Sequence, residues 1–317
     1  MTIKNIIEST KLAENSANLE SKFDFSHFYK HYKLVHPNKP LPPENFLAWL
    51  IGFVEGDGCF HITSKKKELH FFISQSLYDL EVLVLIQKTL GFGRVVNVGK
   101  IDKGARFLVS DLVNTSLLIQ LFNGNMVLPT RSNRFLLYLT AFNNKVSNPK
   151  ARIQLFTIMP KQQTLLPSLE NAWLAGFTDA EGTFTMSFTK AGSFRILYQL
   201  AQKGLENKVV LESFCALFGQ GAVTKHSKTS DIWHFRIGGV FNCAVILPYF
   251  EAFPLQSLKR KSYKKWLFLQ SALAKGLHLI PEEKAKLVKL SKKVNPKINR
   301  ELLEFLPFKS KKSAQSI

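Results

Sequence analysis

The sequence predicts an α+β protein made of two pseudosymmetric αββαββα half-domains, each with one four-stranded antiparallel sheet, packed through two matching helices. The first observation behind this is an internal repeat: WLIGFVEGDG at 49–58 returns as WLAGFTDAEG at 173–182. The offset is constant, carrying Trp49 to Trp173, Gly52 to Gly176 and Asp57 to Glu181. The second is that each copy leads into the same succession of strand-like and helix-like stretches. At 317 residues the chain accommodates two fused units of ordinary domain size.

Residues 1–43 read as a polar, aromatic-dotted extension closed by HPNKPLPP, a stiff extended connector. The first half-domain is expected over 44–142. A helix over 44–57 ends at Gly58, the residue type favoured just past a helix. CFHITSKKKELHFFISQ alternates as two strands about a Lys65-Lys66-Lys67 turn. A helix over 79–90 stops at Gly91-Phe92-Gly93, strands follow over 94–98 and 106–110, and helices over 112–122 and 130–142 close the unit. A linker rich in Asn, Pro and Gln spans 143–168. The second half-domain, 169–274, repeats the order: helix 169–181, strands 183–189 and 194–201, helix 206–218, Gly219-Gln220-Gly221, strands 222–226 and 231–237, helices 240–250 and 256–273. The Lys-rich tail, 275–317, reads as partly helical and peripheral.

Alternation assigns the faces of the sheets. Phe184, Met186, Phe188, Phe194, Ile196, Tyr198, Phe235 and Ile237 point to the helices. Thr183, Thr185, Ser187, Thr189, Arg195, Leu197, Gln199, Ile232, His234 and Arg236 then point away. In the first half Phe60 and Ile62 go in, leaving Cys59, His61, Thr63, Lys65, His70, Phe72, Arg94 and Arg106 out.

Lys and Arg number 43 against 23 Asp and Glu, a formal charge of +20. So large an excess points to a polyanionic partner, nucleic acid first. Lys far outnumbers Arg, and Phe occurs 27 times, a skew that suits AT-rich coding DNA and hence an organelle. Cys59, Cys215 and Cys243 are scattered, which argues against zinc or disulfide frameworks and for a reducing compartment. No apolar run reaches the ~18 residues of a membrane span, and the first twenty residues, polar with three Glu, resemble neither a signal nor a transit peptide. The two Gly-x-Gly turns each leave a helix, unlike a dinucleotide fingerprint, and no G-x-x-x-x-G-K occurs.

The repeat itself carries chemistry. On a helix Gly52 and Gly56 lie one turn apart, as do Gly176 and Ala180, so two such helices can approach closely. Asp57 and Glu181 then emerge side by side at the negative ends of both helix dipoles. Two carboxylates so placed repel by up to about 4 kcal/mol at a separation near 4 Å, and a hard cation such as Mg²⁺ would offset this.

With these residues the chain resembles the LAGLIDADG homing endonucleases, in their single-chain, two-motif form encoded by organellar introns. The resemblance covers roughly residues 44–273. It implies that Asp57 and Glu181, helped by the Gly56 and Ala180 carbonyls, hold catalytic divalent metal. Mg²⁺ is expected, with Mn²⁺ able to substitute and Ca²⁺ supporting binding only. Glu55 and Asp179 are expected to be structural or cap-related. The family's strand-end Gln falls on Gln75 and Gln202, and its helix Lys on Lys259, with Arg131 as the first-half counterpart. The outward residues would read a double-stranded DNA target of about two helical turns through the major groove, with the remaining Lys on phosphates. The implied protein is a mitochondrial or chloroplast monomer that hydrolyses both strands, leaving short 3′ overhangs. The alternatives are an intron RNA maturase, which would bind its own intron RNA, and a DNA-binding regulator with an inactive site. Retention of both acids favours the nuclease.

Overall fold

The structure is a computed structural model and describes residues 22–98, 104–149, 155–161, 165–189, 193–227 and 230–295. The first half runs α2 (Glu44–Asp57), β1 (Gly58–Ile62), β2 (Leu69–Ser76), α3 (Leu80–Leu90), β3 (Arg94–Val98), β4 (Gly104–Val109), α4 (Leu112–Phe122) and α5 (Pro129–Val146), preceded by α1 (Ser26–Val35). The second runs α6 (Trp173–Glu181), β5 (Thr183–Phe188), β6 (Phe194–Lys203), α7 (Leu205–Phe218), β7 (Ala222–Lys225), β8 (Ile232–Gly238), α8 (Leu247–Ala252) and α9 (Lys259–Ala274), followed by α10 (Pro281–Ser291). Each half forms one antiparallel sheet, β1-β2-β4-β3 and β5-β6-β8-β7. The two sheets therefore have the same topology.

The same apolar logic builds both halves. Phe60 pairs with Phe71 across β1 and β2 and meets the rings of Phe122, Phe135 and Tyr138 on α4 and α5 at 5.3, 5.5 and 5.4 Å. Its counterpart Phe184 pairs with Tyr198 and meets Phe250, Tyr263 and Trp266 at 5.7, 5.1 and 5.4 Å. Such ring contacts add roughly 0.5–1.5 kcal/mol each beyond area burial. Met186, Ile196, Tyr198, Phe235 and Ile237 are buried, as their alternation requires. Phe188 and Phe194, at the strand ends, are only half-buried.

Several boundaries differ from the sequence reading, for local reasons. The second motif helix begins at Trp173 rather than 169, because the Asn171 side chain accepts the Trp173 N–H at 3.0 Å and turns the chain there. The helix expected over 240–250 divides into a 3₁₀ turn over Asn242–Ile246 and α8, since Pro248 suits only a first helical turn. Gly58 is extended (φ −78°) rather than left-handed, so α2 runs straight into β1. A Cβ there would lie 2.5 Å from Val54 Cγ1. Gly91 and Gly219, with φ of 69° and 61°, are the true left-handed helix ends.

The extension is not featureless. α1 buries Phe28 and Tyr32; Tyr32 Oη donates to the Leu90 carbonyl at 3.0 Å, and His36 Nε2 meets Asn114 Oδ1 at 2.9 Å. At the other end α10 packs on α9 and β5. Leu287 and Val294 are buried, which corrects the view of 275–295 as merely peripheral.

Candidate active site and nucleic-acid interface

α2 and α6 make the most extensive contact between elements among the described residues. Their glycines permit it. A Cβ at Gly52 would stand 2.0 Å from the Trp173 carbonyl oxygen, and one at Gly176 would stand 1.8 Å from that of Trp49. Real Cβ atoms essentially never come within 3.0 Å, so the backbones touch where side chains would be.

Above that contact the halves exchange hydrogen bonds. Trp49 Nε1 donates to Asp179 Oδ2 at 2.9 Å, and Trp173 Nε1 donates to Glu55 Oε2 at 2.6 Å. Glu55, wholly buried, also accepts the Val127 and Leu128 N–H groups at 2.8 and 2.6 Å, just before α5. Asp179 accepts those of Gln256 and Ser257 at 2.7 and 3.1 Å, just before α9. Both acids are structural and cap-related in this geometry. Burial pushes Glu55 up to about 7 against the lowering effect of its three donors, and it raises Asp179 as well.

Two residues further, Asp57 and Glu181 stand half-buried at the ends of the paired helices. A Cβ on Gly56 would meet Ala180 Cβ at 2.2 Å and Glu181 Cγ at 3.1 Å, so the two chain segments lie against each other here. Burial raises the Asp57 carboxyl above its ordinary range. Burial, then repulsion from Asp57, raises that of Glu181. Two strand-end amides attend them: Gln75 Nε2 donates to Asp57 Oδ2 at 2.6 Å, and Gln202 lines the same cleft as Glu181. Lys259 Nζ donates to the Ala180 carbonyl at 3.1 Å. Arg131 mirrors it on the first motif, donating to the Gly56 carbonyl and, at 3.2 Å, to that of Gly58. Thus the six side chains singled out from the sequence converge on one place.

Oxygen donors fit a hard divalent cation. Asp57, Glu181 and the carbonyls of Gly56 and Ala180 are all such donors, and burial disfavours the charged form of both acids even with Lys259 and Arg131 nearby, so a cation would stabilise them. No cluster of three or more His, Cys, Asp or Glu is placed for a metal among the described residues. A cation between these acids would therefore keep water or phosphate oxygens, as Mg²⁺ commonly does. The three cysteines are free thiols, and no helix of the described residues is long and apolar enough to cross a membrane.

The outward faces of the sheets flank this centre. Cys59, His61, His70, Phe72 and Arg106 share one face of the first sheet by register. Arg94 joins them across β3 and β4. The Arg106 guanidinium lies 4.5 Å from the Phe72 ring centroid, and its Nε donates to Ser74 Oγ at 2.9 Å. Lys65 sits exposed in the β1–β2 turn. Thr63 is committed to that turn, its hydroxyl accepting the Glu68 N–H at 2.8 Å. On the second sheet Thr183, Thr185 and Ser187 register with Gln199, Leu197 and Arg195. Arg236 is held in place: its Nε donates to Gln199 Oε1 at 2.7 Å, another nitrogen reaches Thr224 Oγ1 at 3.2 Å, and the third meets His234 Nδ1. His234 has the expected orientation but is only 6% exposed. The Arg236 side chain and the His226 ring, 4.9 Å away, cover it, so it supports Arg236 rather than facing solvent.

Sequence reasoning did not find Asp79, Asn207 or Arg134. Asp79 Oδ1 accepts the Leu258 N–H at 3.0 Å, and burial raises its carboxyl to about 6. Asn207 meets Thr130. Arg134 Nε donates to the Phe60 carbonyl at 3.2 Å and, with Arg131, Lys203 and Gln202, lines a cleft beside Glu181. Only the place of Asp79 before a helix offered a signal.

Residues 50–142 and 174–269 match the LAGLIDADG endonuclease family, one motif in each segment, and the chain belongs to that family. It is 35% identical over 255 residues to a probable intron-encoded endonuclease 4 of Neurospora crassa, spanning 79% of this chain and 44% of that protein. It is 27% identical over 256 residues to an uncharacterized cox1 intron-2 protein of Schizosaccharomyces pombe, spanning 77% and 72%. In structure it is similar to the LAGLIDADG meganuclease I-AabMI bound to uncleaved DNA. The TM-score is 0.65 with 21% identity over 78% of this chain and 99% of that one. The chain spans less than half the length of the Neurospora relative.

Proposed function

We propose that this chain is a homing endonuclease that cuts both strands of a long, asymmetric double-stranded DNA site in an organelle, the mitochondrion by the origin of its relatives. The observation that carries this reading is the pair Asp57 and Glu181. Two acids sit at the ends of glycine-packed helices, each leading into a sheet whose outer face bears Arg, His, Gln or hydroxyls.

A bound divalent cation, Mg²⁺ or Mn²⁺, would stabilise the attacking and leaving oxygens of phosphodiester hydrolysis. Asp57, Glu181 and the Gly56 and Ala180 carbonyls would hold it. The chain's own groups do the rest. Gln75 fixes the rotamer of Asp57 through its 2.6 Å bond, and Gln202 stands beside Glu181 in the cleft, its Oε1 accepting from Asn207 Nδ2 at 3.4 Å. Both amides keep hydrogen-bonding capacity for the attacking water. Lys259 and Arg131 bring positive charge to the scissile phosphates. Arg195, Arg236, Gln199 and the strand hydroxyls read base edges on one side, and His61, His70, Phe72, Arg94 and Arg106 on the other. Lys65 contacts phosphate. The chain acts as a monomer, since it already contains both halves of the site.

Retention of both acids favours this reading over an intron RNA maturase, which has no use for them. The test is incubation with a duplex carrying the intronless exon junction and Mg²⁺, followed by end mapping. Cleavage of both strands with short 3′ overhangs is expected. An intact duplex, together with accelerated splicing of the intron RNA, would favour the maturase.

A further inference from the structure

α9 has one local acceptor at its start, Ser257 Oγ, which takes the Lys259 N–H at 3.1 Å. Leu258 offers no side-chain acceptor, and the helix opens Lys259-Arg260-Lys261, three cations at the end where the dipole is already positive. The other acceptors come from elsewhere. Asp179 takes the Gln256 and Ser257 N–H groups, and Asp79, past the end of β2 in the opposite half, takes that of Leu258 at 3.0 Å. α5 is built the same way. Leu128 supplies no cap, and Glu55 takes the Val127 and Leu128 N–H groups. Asn207, past the end of β6 in the opposite half, meets the Thr130 hydroxyl at 2.8 Å through Nδ2 and the Thr130 N–H at 3.4 Å through Oδ1.

Each closing helix is thus held at its first turn from across the interface. On that same turn each carries the cation that meets a motif carbonyl, Lys259 on Ala180 and Arg131 on Gly56. The two arrangements match in geometry and differ in charge: Asp79 adds a negative charge beside Lys259, whereas Asn207 brings none to Arg131.

We propose that Asp79 and Asn207 are positioning residues, each holding from the opposite half the cation on one side of the two-acid centre, Lys259 or Arg131, and that they govern different strands. The inference rests on the nuclease reading. Losing the Asp79 acceptor leaves the Leu258 N–H unpaired and loosens a first turn otherwise tied through Asp179 and Ser257, and displacement of Lys259 by about 1 Å is enough to slow the chemistry roughly a hundredfold. The Arg131 side, held by Asn207, keeps its geometry.

The experiment is strand-resolved cutting of the intronless exon junction in Mg²⁺, each strand labelled in turn. Asp79→Ala should slow one strand by about 10- to 100-fold and Asn207→Ala the other, with DNA affinity in Ca²⁺ unchanged. Asp79→Asn keeps an acceptor and should restore the strand that Asp79→Ala slows. Leu258→Pro removes the donated N–H while leaving Asp79 intact, and the Leu258 φ of −55° suits proline. It should reproduce the strand bias of Asp79→Ala even if that variant folds poorly. Equal slowing of both strands by each variant, or no slowing, overturns the inference while the nuclease reading stands. A wild-type chain that cuts neither strand refutes that reading and the inference with it.

Discussion

A single methyl group at Gly176 tests the helix pair on which the site depends. In the Gly176→Ala variant the new Cβ would stand 1.8 Å from the Trp49 carbonyl oxygen, 2.7 Å from its carbon and 2.9 Å from the Phe53 nitrogen. All three are backbone atoms, so no rotamer change relieves the clash. Reaching ordinary contact requires α2 and α6 to separate by roughly 1.5 Å, a shift larger than the ~1 Å that can cost a hundredfold in rate. The same movement stretches the Trp49–Asp179 and Trp173–Glu55 bonds, now 2.9 and 2.6 Å, beyond hydrogen-bonding distance. Two weakened buried bonds at about 1–3 kcal/mol each, and overpacking of similar size, outweigh the ~1 kcal/mol that Ala gains over Gly in a helix. A net loss of about 3–5 kcal/mol follows, or a fall in Tm on the order of 10 °C for a protein of this size. Calorimetry and urea unfolding measure the first effect, and cleavage in Mg²⁺ beside DNA binding in Ca²⁺ measures the second. Cleavage should fall more than binding. If Gly176→Ala melts within a degree or two of the parent and cuts at its rate, the helices do not meet through their backbones and the two-acid centre loses its support.

Asp57→Asn or Glu181→Gln should abolish double-strand cleavage and leave DNA affinity in Ca²⁺ nearly unchanged; either variant cutting both strands at the parental rate removes that acid from the chemistry. Glu55, raised from 4.5 to about 7 by burial, binds a proton in the folded chain that the unfolded chain has released. Its contribution is therefore full below pH ~4.5 and lost as pH rises through ~7, up to about 3 kcal/mol. Glu55→Gln should lower stability at acid pH by about 1–3 kcal/mol, because its amide cannot accept from both the backbone and Trp173. It should also flatten the decline between pH 5 and 7; urea unfolding across that range decides, and an unchanged slope would exclude Glu55 as its source. Log affinity for DNA should fall with log salt at about −0.9 per phosphate contact. Arg195→Ala and Arg236→Ala should lose discrimination at particular base pairs, and Lys65→Ala should weaken all sequences alike; filter binding on single-base-pair variants checks this, and uniform weakening by all three would contradict base reading.

The elements and their pairing were legible because each rests on a local regularity. Alternation around Phe60 and Phe184 fixed the buried faces, and the Gly-x-x-x-small spacing exposed the helix contact. What could not be read was long-range and asymmetric. Asp79 contacts Leu258 across the interface, while its structural counterpart is an amide, Asn207, so a search for repeated acids passes over both. Alternation gave the orientation of His234 but not its burial, which depends on the His226 ring and the Arg236 side chain arriving from neighbouring positions. The docking of α1 was hidden for the same reason: Tyr32 reaches Leu90, and nothing near Tyr32 in sequence signals it.

The crossed tryptophan bonds give the interface a property that neither half has alone. Each half offers one indole donor and one buried acid, and each receives the same two from its neighbour. The contact is therefore isologous, like that of a symmetric dimer, although a single chain encloses it. A half-domain so equipped carries plug and socket together, beside the glycine contact and the Asp79 and Asn207 bonds that also cross the seam. The reading strands touch neither bond. Their outward residues can change without disturbing either one.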